Sequence, residues 1–294
     1  MSQTPPPNKS KPIFKRTSVI VAIITTVGAI ITTIIGGIFL QVSASRGAMT
    51  SPSPSSVTTA TPISTATHPT PTPPSLPALV QHPPLYSQST NIDKVPFSQP
   101  VKAGDLIIVA ITQWIGGVSN VSDDQGDIYT PVVTEAPYAT PYMSPDSTDH
   151  KNHDYAELYY AENVMGGTTT VTVTFMAIGD TNLGIYEFSG LDKAALLDSN
   201  EVVSKTGTSQ NPNGGILKTT TDNELCFVVG VDDDGNSNKP MPGNQYSSLE
   251  DHQDDANDER FYTEYRIGQR GSYLTDFSIA TESHWAVVGA AFKP

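Results

Sequence analysis

The sequence predicts an all-β fold, an antiparallel two-sheet sandwich of jelly-roll type, preceded by one transmembrane helix and a disordered linker rich in Pro, Ser and Thr. Three observations predict it. Residues 18–40 carry no charged side chain, residues 51–84 carry no acidic residue and no hydrophobic period, and the rest alternates short apolar runs with Gly, Asp and Asn turns. The chain accordingly divides into a cytoplasmic tail (1–17), a membrane helix (18–40), a linker (41–84) and an outer β-sandwich (85–294).

As a helix rising about 1.5 Å per residue, residues 18–40 would be roughly 34 Å long, enough to cross a hydrocarbon core of about 30 Å with some tilt. Lys9, Lys11, Lys15 and Arg16 precede the run, which places the N-terminus in the cytoplasm and everything after Leu40 outside. The rival expectation is secretion after cleavage at Ala44, because Val42-Ser43-Ala44 has the small residues of a signal-peptidase site. The apolar run is longer than the usual signal core, which favours an anchor. In the linker, Thr70-Pro71-Thr72-Pro73-Pro74 is typical. Such a segment buries too little apolar surface to offset its ordering entropy, so it acts as an extended spacer.

Beyond the linker, Val171, Val173 and Phe175 alternate with Thr170, Thr172 and Thr174, the pattern of a strand buried on one face. Residues 106–111, 225–231 and 285–292 are nearly continuous apolar runs, expected of strands buried on both faces. Further strands are predicted near Val121 and over 128–133, 155–161, 183–188, 216–220, 261–267 and 273–279. Cys226 is the single cysteine, so no disulfide staples the domain. At roughly 210 residues the domain buries enough surface to need none. The net charge is −14, and every one of the 30 acidic residues lies at or beyond Asp93. Such a domain repels nucleic acid and anionic polymers, leaving cations and neutral glycans as ligand classes.

Several motifs recur in a recognisable order: Ala103-Gly104-Asp105-Leu106, Val121-Ser122-Asp123, Gly126-Asp127-Ile128-Tyr129-Thr130 and Tyr159-Tyr160-Ala161-Glu162-Asn163-Val164. Gly166-Gly167, Glu187-Phe188-Ser189-Gly190-Leu191-Asp192 and a closing Ala291-Phe292-Lys293-Pro294 follow. This order resembles a β-sandwich domain recurrent in secreted and surface proteins of bacteria. The resemblance implies a sandwich on the cell surface and brings no catalytic residue with it.

Asp232, Asp234 and Asn236, on Asp232-Asp233-Asp234-Gly235-Asn236, offer closely spaced oxygen ligands for a structural calcium ion. The same run also reads as an acidic turn closing a buried strand. His150 and His153 have imidazoles suited to zinc but no evident third ligand. Tyr138 and Tyr142, on the long connection before residue 155, and Trp114 at a strand end are the candidates for stacking a sugar ring. Gly-x-Ser-x-Gly, His-Glu-x-x-His and phosphate-cradling glycine motifs are absent from the sequence. The expected function is non-enzymatic binding at the cell surface, of a glycan or other surface polymer. The alternatives are a purely structural module and a glycoside-active enzyme.

Overall fold

The computed structural model describes residues 76–113, 117–132, 155–193, 196–232, 239–254 and 259–294, all within a compact unit spanning Pro69–Pro294. The expected membrane helix and most of the linker lie outside the described residues. Among those described, every regular element is a strand.

The first half of the unit contributes β1 (Ala78–Gln81), β2 (Tyr86–Pro96), β3 (Leu106–Gln113), β4 (Val118–Asp123), β5 (Thr130–Pro131), β6 (Tyr155–Ala161) and β7 (Thr170–Ser189). The second half contributes β8 (Leu197–Ser209), β9 (Asn213–Lys218), β10 (Glu224–Asp232), β11 (Ser247–Asp254), β12 (Glu259–Gly268), β13 (Ser272–Asp276) and β14 (Ser283–Phe292). One sheet has the order β1-β7-β3-β6-β5, with β2 and β4 also paired to the long β7. The other has the order β11-β12-β10-β14-β8, and β9 and β13 form a separate two-stranded ribbon. All pairings are antiparallel. The two large sheets are therefore divided along the sequence, whereas a jelly roll alternates its strands between sheets.

The core explains the continuous apolar runs. Leu106, Ile108 and Ala110 of β3 pack with Phe227, Val229 and Val231 of β10 and Val288 and Phe292 of β14, between the two sheets. The opposite side of β3, with Ile107, Val109 and Ile111, packs on Val95, Val171, Val173 and Phe175. Those residues belong to β2 and the start of β7, so the first sheet folds back over itself. On the far side of the second sheet, Cys226, Val228, Trp285 and Val287 are covered by Leu217, Tyr246 and Phe277 of the ribbon and its flanking segments. Both central sheets are thus buried on both faces, and period 2 disappears from their sequences.

Two expectations are corrected here. The sandwich begins inside the stretch assigned to the linker: β1 pairs with the end of β7, from Ala78 opposite Ser189 to Gln81 opposite Glu187. Leu79 packs against the inter-sheet core. Of the strand expected over 128–133, the described residues form only β5, Thr130 and Pro131, with one further bond from the Val132 N–H to the Leu158 carbonyl at 2.8 Å.

Candidate functional site

Trp114, Tyr138, Tyr142, Asp234 and Asn236 lie outside the described residues, as do His150 and His153. Their attachment points are defined. Gln113, which precedes Trp114, pairs with Tyr155, which follows the long connection, so both segments join the same end of the first sheet. Asp232 is buried at the end of β10, 1% exposed, and stands opposite Arg260, which in turn stands opposite Gln253. The two acidic segments, 233–238 and 255–258, therefore leave the same end of the second sheet. Positive charge is already there: Arg260 Nε donates to Asp251 Oδ1 at 2.7 Å, and Lys239 Nζ lies 3.8 Å from Asp251 Oδ2. Among the described residues, no group of three or more His, Cys, Asp or Glu side chains is placed to hold a metal ion.

The motifs noted in the sequence converge instead at the other end of β3. Asp123 Oδ1 accepts the backbone N–H groups of Gln125, Gly126 and Asp127 at 2.9, 2.7 and 3.1 Å. Its Oδ2 accepts the hydroxyls of Tyr129 at 3.1 Å and Thr168 at 3.4 Å. Asp127 accepts the Met165 N–H at 2.9 Å and the Thr168 hydroxyl at 3.2 Å. Asp124 accepts the Thr169 N–H at 2.9 Å and the Thr169 hydroxyl. Burial alone would raise the Asp124 carboxyl, but these bonds and those to neighbouring amides outweigh it and hold the group below the usual carboxylate range. The three aspartates staple the turn after β4 to the turn before β7. Asp123→Ala is expected to cost about 2–3 kcal/mol, read as a lower urea midpoint at unchanged slope, because it orphans several N–H and O–H donors at once.

Beside these staples, Ala103-Gly104-Asp105, Ser189-Gly190-Leu191-Asp192 and the closing Pro294 form a cleft of about 380 Å³ that Lys193 also lines. Asp192 N–H donates to the Lys293 carbonyl at 3.0 Å, which brings the chain end to the cleft. Lys193 reaches across Gly104, whose positive φ of 86° and lack of a Cβ leave room for the ammonium group. Asp105 lines the cleft and has a carboxyl partner, Glu187. Glu187, 1% exposed, accepts the Lys102 N–H at 2.9 Å and the Gln81 amide at 2.5 Å. Asp105 is hydrogen-bonded to Glu187. Burial pushes the Asp105 carboxyl up to about 7, reinforced by the hydrogen bond and charge of Glu187 and opposed by Lys102 and Lys193. Asp105 therefore keeps its proton over much of the acid-to-neutral range. The pair also ties β1, the segment before β3 and the end of β7 to one another.

A second set of acids lies under the ribbon. Glu264 is fully buried on β12, and its Oε2 accepts the Gly243 N–H at 2.8 Å. Burial pushes its carboxyl up to about 8, the Gly243 bond opposing this and the charge of Asp276 adding to it. Neither acid pair was legible as a site in the sequence. A usable signal was present: Glu187 follows Leu183 and Ile185, and Glu264 follows Tyr262, each in register with fully or almost fully buried neighbours. A carboxyl group at such a strand position needs a specific partner.

No protein-family model matches the chain, and no characterised protein or solved structure was found to match it.

Proposed function

We propose that this chain is a single-pass surface protein whose outer sandwich binds a neutral glycan without cleaving it. The observation that carries the reading is the cleft, where Ser189, Asp192 and Lys193 present a hydroxyl, a carboxylate and an ammonium group suited to sugar hydroxyls. The acidic balance of the domain disfavours anionic polymers. The charge-free run at 18–40 with its basic flank, and the Pro/Ser/Thr-rich stretch after it, support display of the cleft away from a membrane. The Asp105–Glu187 pair favours binding over hydrolysis. A glycosidase separates its two carboxyl groups by about 5 Å or more to flank the scissile bond, whereas these two are hydrogen-bonded to each other.

Retention of the full chain, purified in mild detergent, on a panel of insoluble neutral polysaccharides tests this. Retention without new reducing ends is expected, and Lys193→Ala should weaken it several-fold. New reducing ends would make the protein a glycoside-active enzyme. Absence of retention on every polymer would leave the purely structural reading. Loss of retention in Trp114→Ala with Lys193→Ala unaffected would move the binding surface to the opposite end of β3.

A further inference from the structure

The polar groups beneath the ribbon are not balanced by their neighbours. Glu264 Oε1 and the hydroxyl oxygens of Tyr246 and Tyr262 are buried with no hydrogen-bond partner among the described residues. Such groups in a folded protein point to something bound that the chain itself does not supply. The segment holding Gly243 is clamped beside β13 by reciprocal backbone bonds of 2.9 and 3.0 Å between Met241 and Ser278. Tyr246 N–H donates to the Gly243 carbonyl at 3.0 Å, closing a turn.

At Gly243 three oxygens converge. A methyl group there would stand 2.6 Å from the Asp276 carbonyl oxygen, 2.8 Å from Asp276 Oδ1 and 3.4 Å from Glu264 Oε1. The first two contacts are too short for any Cβ, so glycine is required for the turn to pack this closely on Asp276, and the same closeness brings the three oxygens together. Two carboxyl groups and a carbonyl are hard oxygen donors, the set a calcium ion takes, with water completing its coordination. Two positive groups lie on the same strand: Arg266, 5.7 Å from the Tyr246 ring centroid and with its Nε buried and unpartnered among the described residues, and Arg260. The Arg266 guanidinium lies 3.5 Å from the Tyr273 ring centroid and packs against Gly268. Arg260 is paired to Asp251. Asp276 is half-exposed while Glu264 is enclosed, so the site has an opening to solvent on one side and a closed wall on the other.

We propose that Glu264 and Asp276, brought together by the turn at Gly243, form an internal site for a partly hydrated calcium ion. Glu264 Oε1, Asp276 Oδ1 and the Asp276 carbonyl bind the ion, and its waters serve the Tyr246 and Tyr262 hydroxyls. The ion would join β12, β13 and the turn at Gly243, cross-linking the ribbon to the second sheet. This site is separate from the Asp232–Asn236 turn and independent of the glycan reading.

The test uses the full chain in detergent, first stripped with EDTA and then given millimolar CaCl₂ at matched ionic strength. Thermal melting should rise by several degrees, since a ligand that binds only the folded state stabilises it by mass action. Calorimetric titration should show a calcium-binding event that Glu264→Gln removes. Asp276→Asn, at a half-exposed position, is the second variant should Glu264→Gln fail to fold, and it should weaken binding at least tenfold. Asp232→Asn should leave the response intact. Identical melting in calcium and EDTA, with no heat of binding, would mean that only water occupies the site and would overturn the proposal. So would a calcium response that Asp232→Asn or Asp234→Ala abolishes while Glu264→Gln keeps it.

Discussion

Phe227→Ala is expected to destabilise the domain by about 3–5 kcal/mol, the largest single-residue effect foreseen for this chain. Phe227 is fully buried at the centre of the inter-sheet core. Its ring lies 4.9 Å from that of Tyr186 and 6.2 Å from that of Phe188, so one residue of β10 contacts two of β7 across the sandwich. Removing the ring loses its transfer free energy and leaves a cavity that cannot collapse easily. Tyr186 is held in place by its hydroxyl, 2.9 Å from Thr263 Oγ1. Urea unfolding of the two proteins measures the difference, and a loss below about 1 kcal/mol would show that the sheets are not packed through this contact.

Thermal stability is expected to fall as pH rises from about 5 to about 9, with EDTA present to remove bound cations. The sign follows from Asp105. Its carboxyl is raised to about 7 in the folded state by burial first and by Glu187 second, against about 3.9 in an unfolded chain. A group raised on folding contributes stability that is fully present below the unfolded value and lost as pH passes up through the folded one. Loss of the Asp105 proton leaves a charged carboxylate at an enclosed position. Glu264, raised to about 8 chiefly by burial, extends the decline to higher pH, and Glu157, raised by burial, acts in the same sense. Asp105→Asn keeps a hydrogen-bond donor beside Glu187 and should flatten the profile between about pH 5 and pH 7. A wild-type melting temperature that climbs over that interval would contradict a raised Asp105 carboxyl.

The strands that the sequence revealed are those whose side chains have the least choice. β3, β10 and β14 are apolar at almost every position because both their faces are covered, and each was legible as a run. The strands it hid lie at edges or carry polar faces. β2, with Tyr86-Ser87-Gln88-Ser89-Thr90, turns most of its side chains to solvent, and β8 and β11 are the outer strands of their sheet. β7 reads as two strands because six residues of it, from Thr174 to Gly179, oppose three of β2, from Ile92 to Thr90. This bulge puts Met176 and Ile178 outside, where an alternation rule expects polar residues. β1 was hidden by the prolines around it, Pro77 and Pro83 among them. At the cleft, the residues were noticed as motifs but not as a site, because Asp105 and Glu187 meet only after β3 and β7 pair.

The covering of both faces of the central sheets also shapes how this chain tolerates change. In a strand with one wet face, every second position accepts almost any polar substitution. In β3, β10 and β14 neither parity offers that freedom, so random mutation there is penalised at successive residues rather than alternate ones. Permissive positions collect in β2, β8, β11 and the outward row of Thr170, Thr172 and Thr174. A designer wishing to graft new loops or recolour the surface would begin there and leave the three central strands untouched.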